Sequence, residues 1–261
     1  MKVLLLGDVL SRVGRTALRK GLRKVREKYA VDLCVGNVEN AAGMFGITRK
    51  VKDEISRAGV DIMTSGNHIW DNSQGIEVLD TDPDILRPAN YPDDVPGKGF
   101  LVSEVDDIPV AVMNLQGRTF MPATDCPFRK ATEILNRLDE DIRVILVDIH
   151  AEATSEKLAL GYYLDGKVSV VAGTHTHVPT ADERILEQGT AYQTDLGMVG
   201  PFDSVIGMKK NNVIKRFITG TRHRFNAGGS DPAIQGLSVE IDEQSGRAVG
   251  LERVFERVEE E

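Results

Sequence analysis

Apolar positions follow two periods along this chain, and their alternation predicts the order of its elements. Residues 3–6 form an unbroken apolar run, as expected of a strand buried on both faces. Residues 16–29 then carry Leu18, Leu22 and Val25 at helical spacing, with Arg and Lys opposite, which predicts an amphipathic helix. A strand over 32–38, a helix over 47–58 and a strand over 60–64 complete a β-α-β-α-β order. That order belongs to parallel strands joined by helical crossovers.

Beyond residue 80 the pattern changes. Pro, Asp and Gly crowd residues 80–99, which predicts an irregular excursion over the surface. Residues 100–104 and 109–115, separated by Val105-Asp106-Asp107-Ile108, read as a hairpin. A helix near 128–138, strands over 143–149 and 168–172, and a second hairpin pairing 237–241 with 248–254 follow. Neither an internal repeat nor an interdomain linker interrupts the chain. Its 261 residues are expected to form a single domain.

Chemistry gathers where the strands end. Gly7 leads to Asp8, Gly36-Asn37-Val38 to Glu39 and Asn40, Gly66 to Asn67 and His68, the strand over 143–149 to His150, and Gly173-Thr174 to His175 and His177. Ligands of open α/β sheets bind outside the carboxyl ends of strands, so these five turns are expected to meet in one crevice. Taken singly, each has a plain structural reading: Asp8 as a helix cap, Glu39 and Asn40 as turn residues, His150 as a hydrogen-bonded histidine. In an extended His175-Thr176-His177, residues two apart face the same way, so both rings reach one volume. Four of the five histidines stand at these turns, and only His223 lies elsewhere, in a polar stretch. Imidazole nitrogens with carboxylate and amide oxygens, and no thiolate cluster, suit manganese, iron or zinc rather than a structural zinc site.

Charge and composition narrow the classes of partner. A net charge of −8 excludes a global basic footprint for duplex nucleic acid, though bound metal can still create a local phosphate site. Cys34 and Cys126 form no CxxC pair, so a disulfide-free, cytoplasmic chain is expected. The first apolar run is too short for a signal sequence, and no stretch approaches the roughly 18 apolar residues that span a bilayer, so no membrane partner is expected.

The motifs Gly7-Asp8, Gly36-Asn37-Val38-Glu39-Asn40, Gly66-Asn67-His68, His150 and Gly173-Thr174-His175-Thr176-His177 resemble those of the calcineurin-like metallophosphoesterase superfamily. That superfamily sets GDxH, GDxxD, GNH, H and GHxH on successive strand ends. Two positions depart from the pattern: Leu10 replaces the first histidine ligand, and Glu39-Asn40 lies where the bridging aspartate is expected. The departures themselves resemble the YmdB-like branch of 2′,3′-cyclic-nucleotide phosphodiesterases. Asn67-His68-Ile69-Trp70-Asp71, Arg87-Pro88-Ala89-Asn90-Tyr91-Pro92, Asn114-Leu115-Gln116-Gly117-Arg118 and Asp203-Ser204-Val205-Ile206-Gly207 extend that likeness over nearly the whole chain.

The resemblance implies an α/β fold, a four-layer αββα sandwich with mixed sheets. It implies two divalent or mixed-valence metal ions, iron or manganese, with zinc left open. One ion would take Asp8, Glu39, Asn40 and His177; the other would take Glu39, Asn67, His150 and His175, with Glu39 bridging. Such a pair, roughly 3.5–4 Å apart, can hold a bridging water, lower its pKa and clamp phosphoryl oxygens. His68 would stand beside the ions as the catalytic acid that protonates the leaving group, or would orient the phosphate. The substrate implied is a small cyclic nucleotide. RNA, other diesters, phosphomonoesters or a regulatory, RNA-associated role with a vestigial centre stay open as alternatives. Homo-oligomerisation is expected, with the segments 80–99 and 201–229 as candidate contacts.

Overall fold

Two mixed β-sheets stack face to face, and helices cover both outer faces, in a computed structural model that describes residues 1–223 and 226–259. The chain opens with β1 (Lys2–Leu6), the short β2 (Asp8–Val9), α1 (Ser11–Tyr29), β3 (Leu33–Asn37), α2 (Arg49–Ala58) and β4 (Ile62–Thr64). After α3 (Ser73–Thr81) it builds a second sheet through β5 (Phe100–Val105), β6 (Ile108–Gln116), α4 (Pro127–Leu135), β7 (Val144–His150), α5 (Thr154–Leu164), β8 (Val170–Thr174), β9 (Arg184–Ile185) and β10 (Ala191–Gln193). It then returns to the first sheet with β11 (Met198–Pro201), α6 (Lys210–Thr219), β12 (Pro232–Ile241) and β13 (Ala248–Arg257). Among the described residues, the first sheet runs β2-β11-β12-β1-β3-β4 with β13 on β12, and the second runs β5-β6-β7-β8-β10-β9.

Alternation along the strands explains the layers. Leu4, Leu6 and Cys34 point outward onto Leu18 and Leu22 of α1 and Ile55 of α2. Val3, Leu5, Leu33 and Val35 point inward onto Val110, Val112, Val144, Leu146 and Val170 of the second sheet. That sheet's other face, with Met113, Ile145 and Val147, packs on Ile134 of α4 and on Leu160 and Leu164 of α5. A strand between two apolar layers reads as a continuous hydrophobic run, which is why these strands stand out in the sequence. The layers are helix, sheet, sheet and helix, as the resemblance implies.

Three features differ from expectation. Helix α1 begins at Ser11 rather than residue 16, because buried Gly14, which carries no apolar signal, lies where a Cβ would come within 2.2 Å of Val199 O. Residues 85–90 are buried rather than spread over the surface. Leu86 N donates to Met63 O and Met63 N to Asp84 O, so β4 satisfies this segment's backbone and draws it inward. Helices α3, α5 and α6 and strands β9 to β11 lie outside the elements expected from the sequence. Within 201–229, α6 exposes Ile214, Phe217 and Ile218, while Arg224 and Phe225 lie outside the described residues. No helix among the described residues is long and apolar enough to cross a membrane.

Register aligns the ends that matter. Leu6 pairs with Gly36, Asn37 with Thr64, and His150 with Thr174. Hydrogen bonds from Asn37 Nδ2 and Thr64 Oγ1 to Asp148 then join the carboxyl ends of the two sheets.

Candidate metal centre

The turn after β1 buries a carboxylate without satisfying it. Gly7 permits the turn, because a Cβ there would lie 2.1 Å from Gly197 O. Asp8 is fully buried; its Oδ2 accepts from His175 N at 3.0 Å, whereas Oδ1 has no hydrogen-bond partner. That oxygen lies 3.8 Å from both His177 Nε2 and His150 Nδ1. After β3, Glu39 is also buried. Its Oε1 lies 3.2 Å from His150 Nε2 and accepts from Asn40 Nδ2 at 3.0 Å, while Oε2 accepts from His68 N at 2.8 Å. Asn40 Nδ2 is also 3.3 Å from His177 Nε2, and His175 Nδ1 is 3.1 Å from His150 Nε2. Asp8, Glu39, Asn40, His150, His175 and His177 thus form one contiguous cluster.

The turn after β4 closes over it. A Cβ on Gly66 would lie 2.1 Å from His150 Cδ2 and 2.5 Å from Glu39 Oε2, so only glycine fits. The next residue, Asn67, has a buried Oδ1 with no partner. His68 is tied to Glu39 through its backbone, and its ring Nδ1 lies 2.7 Å from Asp71 Oδ2, with the Phe45 ring 4.7 Å away between centroids.

His175 and His177 converge by a different route from the one expected. Strand β8 stops at Thr174, and the two histidines have φ of 101° and 63°. Side chains two apart meet here through left-handed backbone rather than strand alternation. Such conformations cost about 1–3 kcal/mol each and persist where the surroundings over-determine them. The bond from His175 N to Asp8, the bond from Thr176 N to Asp195 Oδ2 at 3.1 Å, and the 3.0 Å contact of His177 Nδ1 with Ile206 O supply that constraint.

Electrostatics reflect the crowding of carboxylates. Burial pushes the Asp8 carboxyl up to about 6, despite the opposing pull of His177 and His150. Burial also pushes Glu39 up, but His150 and His68 outweigh it and hold this carboxyl at about 2. For His150, burial favours the neutral ring, yet Glu39, Asp8 and Asp148 raise it to about 9. Burial, followed by the neighbouring His150, lowers His175 to about 3. In effect a proton on His150 neutralises part of a buried negative charge, a task that a bound cation would take over.

The donor set fits divalent ions. Unpaired buried oxygens such as Asp8 Oδ1 and Asn67 Oδ1 cost about 1–3 kcal/mol each, and bound cations would satisfy them. Glu39, His150 and His175 offer ligand atoms that all lie within 4.8 Å of one another. Oxygen and imidazole donors match manganese, iron or zinc.

A family model described as YmdB-like protein matches residues 4–254. The chain belongs to the YmdB-like family. It is 44% identical over 255 residues to the 2′,3′-cyclic-nucleotide 2′-phosphodiesterase of Bacillus subtilis, covering 98% of this chain and 97% of that one. A solved hypothetical protein from Thermus thermophilus superposes with a TM-score of 0.93 at 39% identity, covering 99% of this chain and 100% of that one. A solved structure titled as a novel phosphatase from Mycoplasma pneumoniae gives a TM-score of 0.93 at 34% identity, covering 99% and 94%.

Within this YmdB-like chain, Leu10 is wholly buried and fills space that a Cβ on Gly207 would invade. Arg15 of α1 clasps the turn after Glu39-Asn40, donating to Ala41 O at 2.6 Å and to Glu54 at 2.8 Å. Sequence reasoning missed several supporting residues. Asp71 lies inside a quoted motif, so its pairing with His68 three residues before it had a local signal. Lys157 and Asp195, a buried ion pair at 2.7 Å, had none, because a lysine on a helix reads as surface.

Proposed function

We propose that this chain, an enzyme of the phosphoesterase type, hydrolyses phosphodiesters at a two-metal centre and takes 2′,3′-cyclic nucleotides as substrate. The observation that carries the reading is a pair of unsatisfied buried oxygens, Asp8 Oδ1 and Asn67 Oδ1, in two turns that pack against those supplying Glu39, His150, His175 and His177. Asp8, Glu39, Asn40 and His177 would hold one ion; Glu39, Asn67, His150 and His175 would hold the other. Asn40 now offers Nδ2 to Glu39 and His177, and half a turn of its amide would offer Oδ1 instead. Bound there, iron or manganese would activate water and neutralise the phosphoryl oxygens.

The chain's own residues handle the leaving group. Water adds to phosphorus and gives up a proton to solvent, the ester bond to the leaving oxygen breaks, and that oxygen needs a proton. His68 is the donor in this reading. Its backbone is fixed on Glu39, and Asp71 accepts from Nδ1, which leaves Nε2 for the transfer. The name of the Bacillus subtilis relative supports the choice of cyclic nucleotide, and that of the Mycoplasma pneumoniae structure keeps phosphomonoesters as the second reading. The active unit is residues 1–261 as one domain, supported by a first sheet that pairs β1 with β12 from the far end of the chain. Two free cysteines, Cys34 and Cys126, suit the reducing cytoplasm.

Turnover of 2′,3′-cAMP, 3′,5′-cAMP, a short RNA and a generic monoester, with and without His68→Ala, tests the proposal. We expect 2′,3′-cAMP to be preferred, and the variant to lose about 10²–10⁴-fold in kcat. Dominant monoester turnover would overturn the diesterase reading, and full activity in the variant would remove His68 from the mechanism.

A further inference from the structure

Beneath the metal centre runs a buried polar chain that proton transfer to the leaving group does not use. His150, wholly buried at the end of β7, places Nδ1 2.9 Å from Thr174 Oγ1. Thr174 Oγ1 lies 2.7 Å from Asp148 Oδ1. The other oxygen of Asp148 accepts from Asn37 Nδ2 at 3.1 Å and from the Thr64 hydroxyl. Register explains the meeting: His150 pairs with Thr174 across β7 and β8, and Asp148, two residues before His150, projects from the same face.

The direction of each bond follows from what each group can donate. A carboxylate only accepts, so Thr64 and Thr174 both direct their single hydroxyl protons at Asp148. Thr174 is left with lone pairs alone for His150, so His150 Nδ1 must carry hydrogen. Asn37 Nδ2, 3.4 Å from the same nitrogen, is also a donor, but its two hydrogens go to Ser65 O and Asp148 Oδ2, both at 3.1 Å. In a neutral ring this leaves Nε2 bare. Nε2 is the atom 3.2 Å from Glu39 Oε1 and 3.1 Å from His175 Nδ1, on the side where the ligand atoms cluster.

We infer that Asp148, acting through Thr174, is a positioning residue that holds His150 in the tautomer offering Nε2 to the metal centre. The inference rests on the two-metal reading for its consequence, while the hydrogen on Nδ1 is dictated by Thr174 whether or not metal is bound. Metal-bound histidines commonly donate their second nitrogen directly to a carboxylate or carbonyl. Here a hydroxyl stands between, which relays the orientation while keeping the carboxylate off the ring.

Three variants test it: Thr174→Val, which deletes the hydroxyl at nearly constant shape, Thr174→Ser, which keeps it, and Asp148→Asn. Calorimetric titration with Mn²⁺ should give binding about 10–100-fold weaker for Thr174→Val than for wild type, with Thr174→Ser restoring it and Asp148→Asn weakening it. Thermal unfolding of each metal-free variant identifies any that fail to fold. Long-range ¹⁵N–¹H imidazole spectra of Zn²⁺-loaded wild type should show His150 protonated at Nδ1, and Thr174→Val should lose protection of that proton. Wild-type Mn²⁺ affinity in a folded Thr174→Val variant, or a wild-type spectrum with the proton on Nε2, would overturn the inference. Wild type that binds neither Mn²⁺ nor Zn²⁺ would instead overturn the metal reading, and the spectrum of metal-free wild type at alkaline pH, with the ring neutral, would then decide the tautomer alone.

Discussion

Asp8, Glu39 and His150 make the stability of the metal-free protein depend on pH in a definite sense. Asp8 is raised from 3.8 to about 6, so its contribution is complete below 3.8 and lost as pH rises through 6. His150 is raised from 6.5 to about 9, so its contribution is lost as pH rises through that higher range. Glu39 behaves oppositely: lowered from 4.5 to about 2, it contributes above 4.5 and ceases to as pH falls through 2. Metal reverses the loss on the alkaline side, because ligands bind it deprotonated. The rise in Tm produced by saturating Mn²⁺ should therefore be larger near about pH 8 than near about pH 5. An equal or smaller rise at the higher pH would contradict this. At the residue scale the ligand candidates were legible because each lies within three residues of a strand end. Thr174 and Asp148 were not, since their part is defined only relative to His150, to which the sequence gives no direction.

Helix α5 illustrates why some elements escape a periodicity reading. Its Lys157 is wholly buried on Asp195, and its Tyr162 and Tyr163 are exposed, which inverts the usual pattern of apolar inside and polar outside. By contrast α2 is plainly marked: Thr48 caps it by accepting from Val51 N, and Gly59, at φ 108°, ends it. The inversion in α5 has an energetic consequence. Asp195 also accepts from Thr176 N, between the two site histidines, and from Gly197 N, so it anchors the turn that presents them. Removing its buried partner leaves an uncompensated charge. Lys157→Ala should destabilise the protein by about 3–5 kcal/mol in urea unfolding. A loss below about 1 kcal/mol would mean that Asp195 is satisfied without the lysine.

For the whole molecule, the site lies where the carboxyl ends of two sheets meet. Asp8, Glu39 and Asn40 come from the first sheet, His150 and His175 from the second. The β-α-β-α-β order of the first seventy residues was readable from hydrophobic runs, and so was the C-terminal hairpin. Division of the strands between two stacked sheets was not, because strands apolar on both faces look alike whichever layer they join; the motif resemblance supplied it. Cations held between the sheets would join them through side chains that otherwise carry unpaired charge, and metal content is accordingly the central quantity. Mass-spectrometric metal analysis of the purified, Mn²⁺-loaded chain addresses it directly. The account predicts two ions per chain, with loss of at least one in His150→Ala. An unloaded wild type, or a His150→Ala variant that keeps both ions, would contradict it.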